Sequence, residues 1–242
     1  MADRAIDPLT VASAASRLES EADTIGVRLR VSFDFDELVR VREWVRQSLV
    51  SPFFRPDFNA FTPDTAFWVS AMDQSGEVIY LHAFRLDMVE QDFTQWYLNW
   101  MFGLRARAGD RLELEDDQLP TSKRLRSLRG RLVYQGELWV SSKAPRKFAS
   151  SVLNIVPKFA MLLAYIHFRP DAIWALVDHR GATTGGVLRA GNPHVQPNFV
   201  RWKEGAMPRD LGTLEGGRQD GTEWLSTVER EELETMINEI LR

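Results

Sequence analysis

The chain contains no cysteine. That removes disulfides, thiolate-bound zinc, iron–sulfur clusters and cysteine nucleophiles from consideration. Strong charge bias is missing too. Lys and Arg number 30 against 34 Asp and Glu, and the net charge of −4 argues against a whole-chain polycation for nucleic acid or anionic membrane. The longest apolar run, residues 159–166, is far short of the ~20 residues of a spanning helix, so no membrane span is expected. The start of the chain carries Asp3, Asp7 and Glu19 and lacks a basic stretch before an apolar core, so no secretory signal is expected and the default location is cytoplasmic. His82, His167, His179 and His194 are scattered, with no HExxH pair and no acidic calcium loop, so no metal site is expected. What remains is a globular composition, 242 residues with 44% hydrophobic and 26% charged, enough for one large domain or two small ones.

Along the chain, residues 1–26 read as a polar lead-in in which Leu9, Val11, Ala15 and Leu18 line either one weak helix or a mobile arm. Residues 27–33 alternate apolar and polar, the pattern of a half-buried strand. Asp34 or Asp36 then caps a helix whose Leu38, Val41, Val45 and Leu49 share a face, with Pro52 as its stop. A phenylalanine-rich loop leads to two strand-like runs around the turn 73–76. Phe93, Trp96, Tyr97 and Trp100 fall at helical spacing, which fits a core-covering helix or a ligand wall. The charges then segregate. An acidic stretch at 110–117 precedes a basic run at 123–131, either a solvated loop or an edge for phosphates. A strand at 134–142, a loop, a helix from about 151 to 168 kinked at Pro157, a short buried strand at 172–177, a helix at 183–190 and a strand at 199–202 follow. Residues 203–221 read as a Gly- and charge-rich linker, and Ser226 to Glu229 as a capping box for a final amphipathic helix. The mixed order with a late strand–helix–strand run predicts an α/β (α+β) mixed sheet with a parallel pair, one domain at 27–202 followed by a linker and terminal helix at 203–242.

The stretch 134–191 resembles the acyl-CoA-binding core of the GNAT-like N-acyltransferases. That family's signature is a strand followed by (Gln/Arg)-x-x-Gly-x-(Gly/Ala) opening a helix. Here Arg146 stands at the first position, Ala149 replaces the glycine and Ser151 the second small residue. Such a loop works because free N–H groups and the dipole at a helix N-terminus face a pyrophosphate, and small residues let it approach. The resemblance implies a GNAT-like fold with an additional C-terminal helix, and acetyl-CoA or acyl-CoA as substrate. It implies a site with Val140, Ser142, Arg146, Lys147, Ala149, Ser150 and Ser151 near the cofactor portion, Arg146 and Lys147 supplying positive charge. The bland alternative is a basic loop neutralised by solvent. Gly191 matches the family's closing glycine and His179 the position of its frequent asparagine. No tyrosine lies between Thr183 and Ala190, where the family often places its general acid.

Three functions follow from that resemblance. The first is direct transfer of an acetyl or longer acyl group from CoA to a small-molecule or peptide amine, with a backbone N–H near Val140 holding the oxyanion. Glu137 or His179 would accept the amine's proton. The alternatives are that Glu137 is a paired or solvent-facing carboxylate and His179 a capping or surface residue. The second is an acyl-homoserine-lactone-type synthase that draws on acyl carrier protein, with the basic run 123–131 docking the acidic carrier. The third is a non-catalytic GNAT-like protein that binds a ligand or partner. The stripe on the last helix is either a homodimer surface or part of the local core.

Overall fold

The computed structural model of the chain describes residues 6–116, 119–203, 206 and 221–242. Its centre is a seven-stranded sheet in the order β1-β2-β3-β4-β5-β7-β6. The strands are β1 (Arg28–Ser32), β2 (Ala66–Met72), β3 (Val78–Val89), β4 (Gly130–Val140), β5 (Ala172–Asp178), β6 (His194–Arg201) and β7 (Thr222–Glu229). All neighbours are antiparallel except β4 and β5. The sheet is therefore mixed, and the parallel pair lies in the late strand–helix–strand run, with α5 (Arg146–Phe168) as the crossover.

Each face of the sheet carries its own apolar layer. On one side α1 (Pro8–Thr24), α5 and α8 (Arg230–Leu241) bury Val11, Leu18, Phe159, Leu162, Leu233 and Ile237. On the other, α2 (Phe35–Arg46), a 3-10 turn at Pro52–Phe54, α3 (Phe93–Arg107) and α4 (Lys123–Ser127) bury Phe35, Leu38, Phe53, Phe54, Tyr97 and Leu125. Two short helices, α6 (His179–Thr183) and α7 (Gly186–Arg189), follow β5. The α5 helix has the length and hydropathy of a membrane-crossing segment, a property that the count of uninterrupted apolar residues misses. Its Val152, Val156, Phe159, Ala160 and Leu162 are instead packed inside the core.

Several local signals form as the sequence predicts. The Asp34 carboxylate accepts from the Glu37 N–H at 2.9 Å and caps α2. The turn at 73–76 closes with the Gly76 N–H on the Asp73 carbonyl, and Gly76 supplies the φ of +84°. In α3, Phe93 and Tyr97 are fully buried and meet Trp174 edge-on, so the aromatic stripe covers the core.

Other elements differ from the sequence reading. Helix α2 ends at Gln47 in a left-handed conformation, ahead of Pro52. Residues 8–24 form a full helix started by Pro8, with small Ala14 and Ala22 letting it lie close to α5, while Leu9 stays exposed. Helix α5 begins at Arg146, five residues before the expected start. Its N-cap is Pro145, which offers no side-chain acceptor, so no capping signal marks the start. The expected helix at 183–190 is split into α6 and α7 by Gly185 at φ +75°. Ser226 to Val228 lie within β7, and Glu229, the last residue of that strand, is the one that caps α8, forming the capping box with Glu232. Most of the expected linker at 203–221 lies outside the described residues. The stripe of α8 buries Leu233 and Ile237 against the chain's own core, beside α1 and α5.

Candidate active site

The centre of the sheet contains a built-in gap. β4 and β5 pair only at Leu132, Val133 and Tyr134 with Ala172, Ile173 and Trp174. Beyond Tyr134 and Trp174 the two strands part. β4 keeps β3 as a neighbour and β5 keeps β7, but the edges facing each other are unpaired there. A cavity of about 460 Å³ fills the notch, lined by Gln135 to Leu138 on one side and Ala175 to Asp178 on the other.

A β-bulge shapes the β4 wall. The register with β3 shifts so that Glu137 and Leu138 both lie opposite His82. Glu137 takes φ +56°, a left-handed conformation unusual for a residue with a side chain. Gly136 precedes it because a Cβ there would come within 2.7 Å of the Phe54 ring. In an unbroken strand Glu137 would share the face of Gln135. The bulge turns it towards α2 instead. There its Oε2 accepts from Arg42 Nε at 2.7 Å and its Oε1 from the Ser51 N–H at 2.8 Å. Both side chains of this ion pair are about 5% exposed or less. Arg42 also donates to the Ser48 hydroxyl.

The opposite face of the notch, towards α5, is polar at its apex. Gln135 and Ala175 are the first positions after the strands part, His82 lies one strand outward on β3 and Ser226 faces Ala175 from β7. Gln135 donates to Asn192 at 2.7 Å. His82 is fully buried, and desolvation pulls its pKa down to about 3, with the Gln135 side chain offsetting part of that. Its imidazole is therefore neutral near pH 7. Nδ1 lies 2.8 Å from the Tyr80 hydroxyl, whose own pKa burial raises. If that hydroxyl donates, Nδ1 accepts and the ring proton sits on Nε2. The opposite tautomer would strand the buried Tyr80 proton, so the first arrangement is favoured. The Ser226 Oγ makes no hydrogen bond among the described residues.

The residues expected from the sequence fall into three groups. Glu137 lines the cavity and Val140 ends the same strand, half-buried against the α5-side core. Arg146 and Lys147 are exposed in the first turn of α5, and Ser142 is exposed just after β4. With the helix starting at Arg146, the Ala149 N–H already bonds the Pro145 carbonyl. The N–H groups of Ser150 and Ser151 lie likewise inside the helical ladder. The open donors are those of Arg146, Lys147 and Phe148. His179 stands apart. It is exposed at the start of α6, edge-on to Trp224 and outside the cavity lining.

The basic run 123–131 does not border the cavity. Arg124 is engaged with Glu232 at 2.7 Å and Thr227 at 2.9 Å, and Arg131 with the Phe168 carbonyl. Among the described residues no cluster of His, Asp and Glu could hold a metal ion. Sequence reasoning missed His82, Gln135, Asn192, Ser226 and Arg42. The available signal was a single polar residue inside an otherwise apolar strand, as at His82 and Gln135.

No family model matches the chain, and no curated protein matches it. Solved structures do. FeeM, an N-acyl amino acid synthase from uncultured soil microbes, aligns at 10% identity and TM-score 0.41, over 86% of this chain and 93% of that one. Aminoglycoside acetyltransferase AAC(6')-Ib in complex with coenzyme A aligns at 12% identity and TM-score 0.44, over 86% and 98%. A GNAT superfamily phosphinothricin acetyltransferase from Sinorhizobium meliloti, in complex with AcCoA, aligns at 13% identity and TM-score 0.40, over 84% and 88%. At these values the likeness concerns chain course and nothing finer. In its mixed seven-stranded sheet and its parallel fourth and fifth strands that part after three paired positions, the chain resembles the GNAT-like acyl-CoA N-acyltransferases in fold.

Proposed function

We propose that the chain is an acyl-CoA-dependent N-acyltransferase that transfers an acyl group directly to an amine. The observation that carries this reading is the notch. An open edge on β4 can receive an extended, amide-bearing chain as an added strand would be received. The α5 N-terminus, whose first-turn residues are not among those lining the cavity although Leu153 further along the helix is, offers free N–H groups and the side chains of Arg146 and Lys147 to phosphates. In this reading those residues hold the pyrophosphate, with Ser142 at the approach and Ala149, Ser150 and Ser151 keeping the first turns slim. The thioester lies at the bulge, with a backbone N–H between Leu138 and Val140 facing the developing oxyanion.

The acceptor amine enters from the α2 side, where Arg42, Leu49 and Ser51 line the cavity. Its nitrogen bonds to the carbonyl carbon, the C–S bond breaks, and CoA leaves as a thiolate that takes a proton from solvent. Glu137 is the cavity carboxylate assigned to the amine's proton, since each of its oxygens accepts one bond and retains a second lone pair. His179 has no part in this version, being outside the cavity. A carrier protein as donor is less well supported, because Arg124 and Arg131 in the basic run are engaged inside the chain.

Thermal shift with CoA, acetyl-CoA and longer acyl-CoAs tests the reading. At 100 times Kd a ligand stabilises by about 2.7 kcal/mol, a shift of several degrees. No shift at millimolar CoA overturns it. Arg146→Ala with Lys147→Ala should weaken binding, and unchanged affinity would remove α5 from the site. Glu137→Gln, assayed where circular dichroism shows it folded, should lose most turnover. Retention of turnover would leave Glu137 a structural residue.

A further inference from the structure

We propose that Arg189 on α7 is a phosphate-binding residue, which holds the phosphate-bearing half of the acyl donor together with the start of α5. This rests on the acyl-CoA reading above. Most of the charge at the cavity wall is already engaged. Arg42 is closed on Glu137, and Arg105 pairs with Asp110 at 3.4 Å. Glu223 accepts from the Trp202 indole at 3.1 Å, Asp178 accepts from the Gly181 N–H, and Arg46 is engaged as well. Arg189 lines the same cavity and is exposed. Among the described residues it has neither an ion pair nor a side-chain hydrogen bond, which leaves all its donors for a ligand.

The backbone beneath it gives the guanidinium its place. Gly185, at φ +75°, bends the chain between α6 and α7, and a Cβ there would stand 3.4 Å from Arg189 Nη1. The guanidinium is therefore folded over the bend. Gly181 and Gly186 of the same stretch line the cavity, and small residues at a wall let an anionic group come close. Helix α7 packs against α5, whose Leu153 also lines the cavity about two turns beyond Arg146. A donor with its thioester in the cavity and its phosphates at the first turn of α5 passes between these two helices. Coenzyme A carries a diphosphate and a separate phosphomonoester, more negative charge than Arg146 and Lys147 balance, and an arginine fork pairs two phosphate oxygens at once. Asp178 does not compete for this cation. It shares the side of β5 that carries Trp174 and Leu176, which is the side facing α2 and α3.

Isothermal titration of the intact protein with acetyl-CoA, and with acetyl-pantetheine by competition against it, tests this. Acetyl-pantetheine has the thioester and the amides but no phosphate. Arg189→Ala should weaken acetyl-CoA about fivefold, Arg189→Glu should weaken it further and Arg189→Lys should keep most of the affinity. All three should bind acetyl-pantetheine as the unaltered protein does. Arg126→Glu, on an exposed residue outside the cavity lining, should leave both affinities unchanged and so controls for net charge. An acetyl-CoA affinity unchanged in Arg189→Ala overturns the assignment. So does an equal loss for acetyl-CoA and acetyl-pantetheine, which would mark a structural role, or an equal loss in Arg126→Glu. Failure of the unaltered protein to bind acetyl-CoA defeats the acyl-CoA reading first, and this assignment with it.

Discussion

The ion pair between Arg42 and Glu137 is the sharpest test of how the cleft is held. Both side chains are about 5% exposed or less, 2.7 Å apart, and tied further to Ser48 and Ser51. Removing either partner leaves the other charge buried without compensation, which costs about 3–5 kcal/mol. For a chain of this size each kcal/mol moves Tm by about 2–4 °C, so Arg42→Met or Glu137→Gln alone should lower Tm by roughly 6–20 °C. The double variant has no stranded charge and should be clearly more stable than the worse single variant. Backbone strain supplies a second, independent signature. Glu137 sits at φ +56°, where a residue with a Cβ loses about 1–2 kcal/mol relative to glycine. Glu137→Gly and Glu137→Ala break the pair equally, yet the glycine variant should be the more stable by about 1 kcal/mol. Urea unfolding at constant m resolves both differences. Single variants that lose less than about 1 kcal/mol, or a double variant whose loss equals the sum of the singles, would refute the view of Glu137 as a strained residue held by a buried cation.

Three further outcomes follow. Below pH 6.5 the unfolded His82 gains a proton that the folded one, with its pKa near 3, does not, so stability should fall as pH drops from about 6.5 towards 3 and be unaffected above that window. At pH 5 the loss is about 2 kcal/mol, and His82→Gln should flatten the slope of stability between pH 7 and 5; identical slopes would count against a neutral buried imidazole. Gly136→Ala pushes a methyl into the Phe54 ring and should cost about 1–3 kcal/mol in urea unfolding, an effect that Phe54→Leu in the same chain should lessen. Leu18→Ala empties a site 4% exposed between α1 and the core and should cost about 2–4 kcal/mol, whereas Leu9→Ala, on the exposed face, should be near neutral.

What the sequence makes legible is local. The Asp34 cap and the turn at 73–76 each depend on residues a few positions apart and form as expected, whereas the strand at 28–32 forms without the expected half-buried apolar face, Val31 and Phe33 staying exposed and Ser32 buried. The parallel pair was likewise readable, because a strand, a long apolar helix and a second apolar strand leave little choice of topology. What depends on distant partners was hidden. Ser226 to Glu229 satisfy a helix-capping pattern and a strand pattern equally. Pairing with β5 on one side and β6 on the other decides for the strand. The start of α5 has no capping residue to mark it, and its position is fixed by Val152 and Val156 packing in the core. At the site, Glu137 was recognisable as a carboxylate on the right strand, but its partner Arg42 is 95 residues away. His82 and Ser226 line the same cavity from β3 and β7, the strands that flank the two that part, 144 residues apart in sequence.

The bulge at Glu137 also says which residue of β4 is surplus to the sheet. Up to Gly136, even-numbered residues face α2 and odd-numbered ones α5; Trp139 and Val140 are assigned the other way round. The strand thus slips phase by one residue, and deleting Glu137 would restore a continuous alternation with Trp139 and Val140 on their present faces. The ladder between β3 and β4 has no use for this position. A chain shortened by that one residue could keep its core and its strand order, and would lose the kink in the β4 wall together with the carboxylate that the kink delivers.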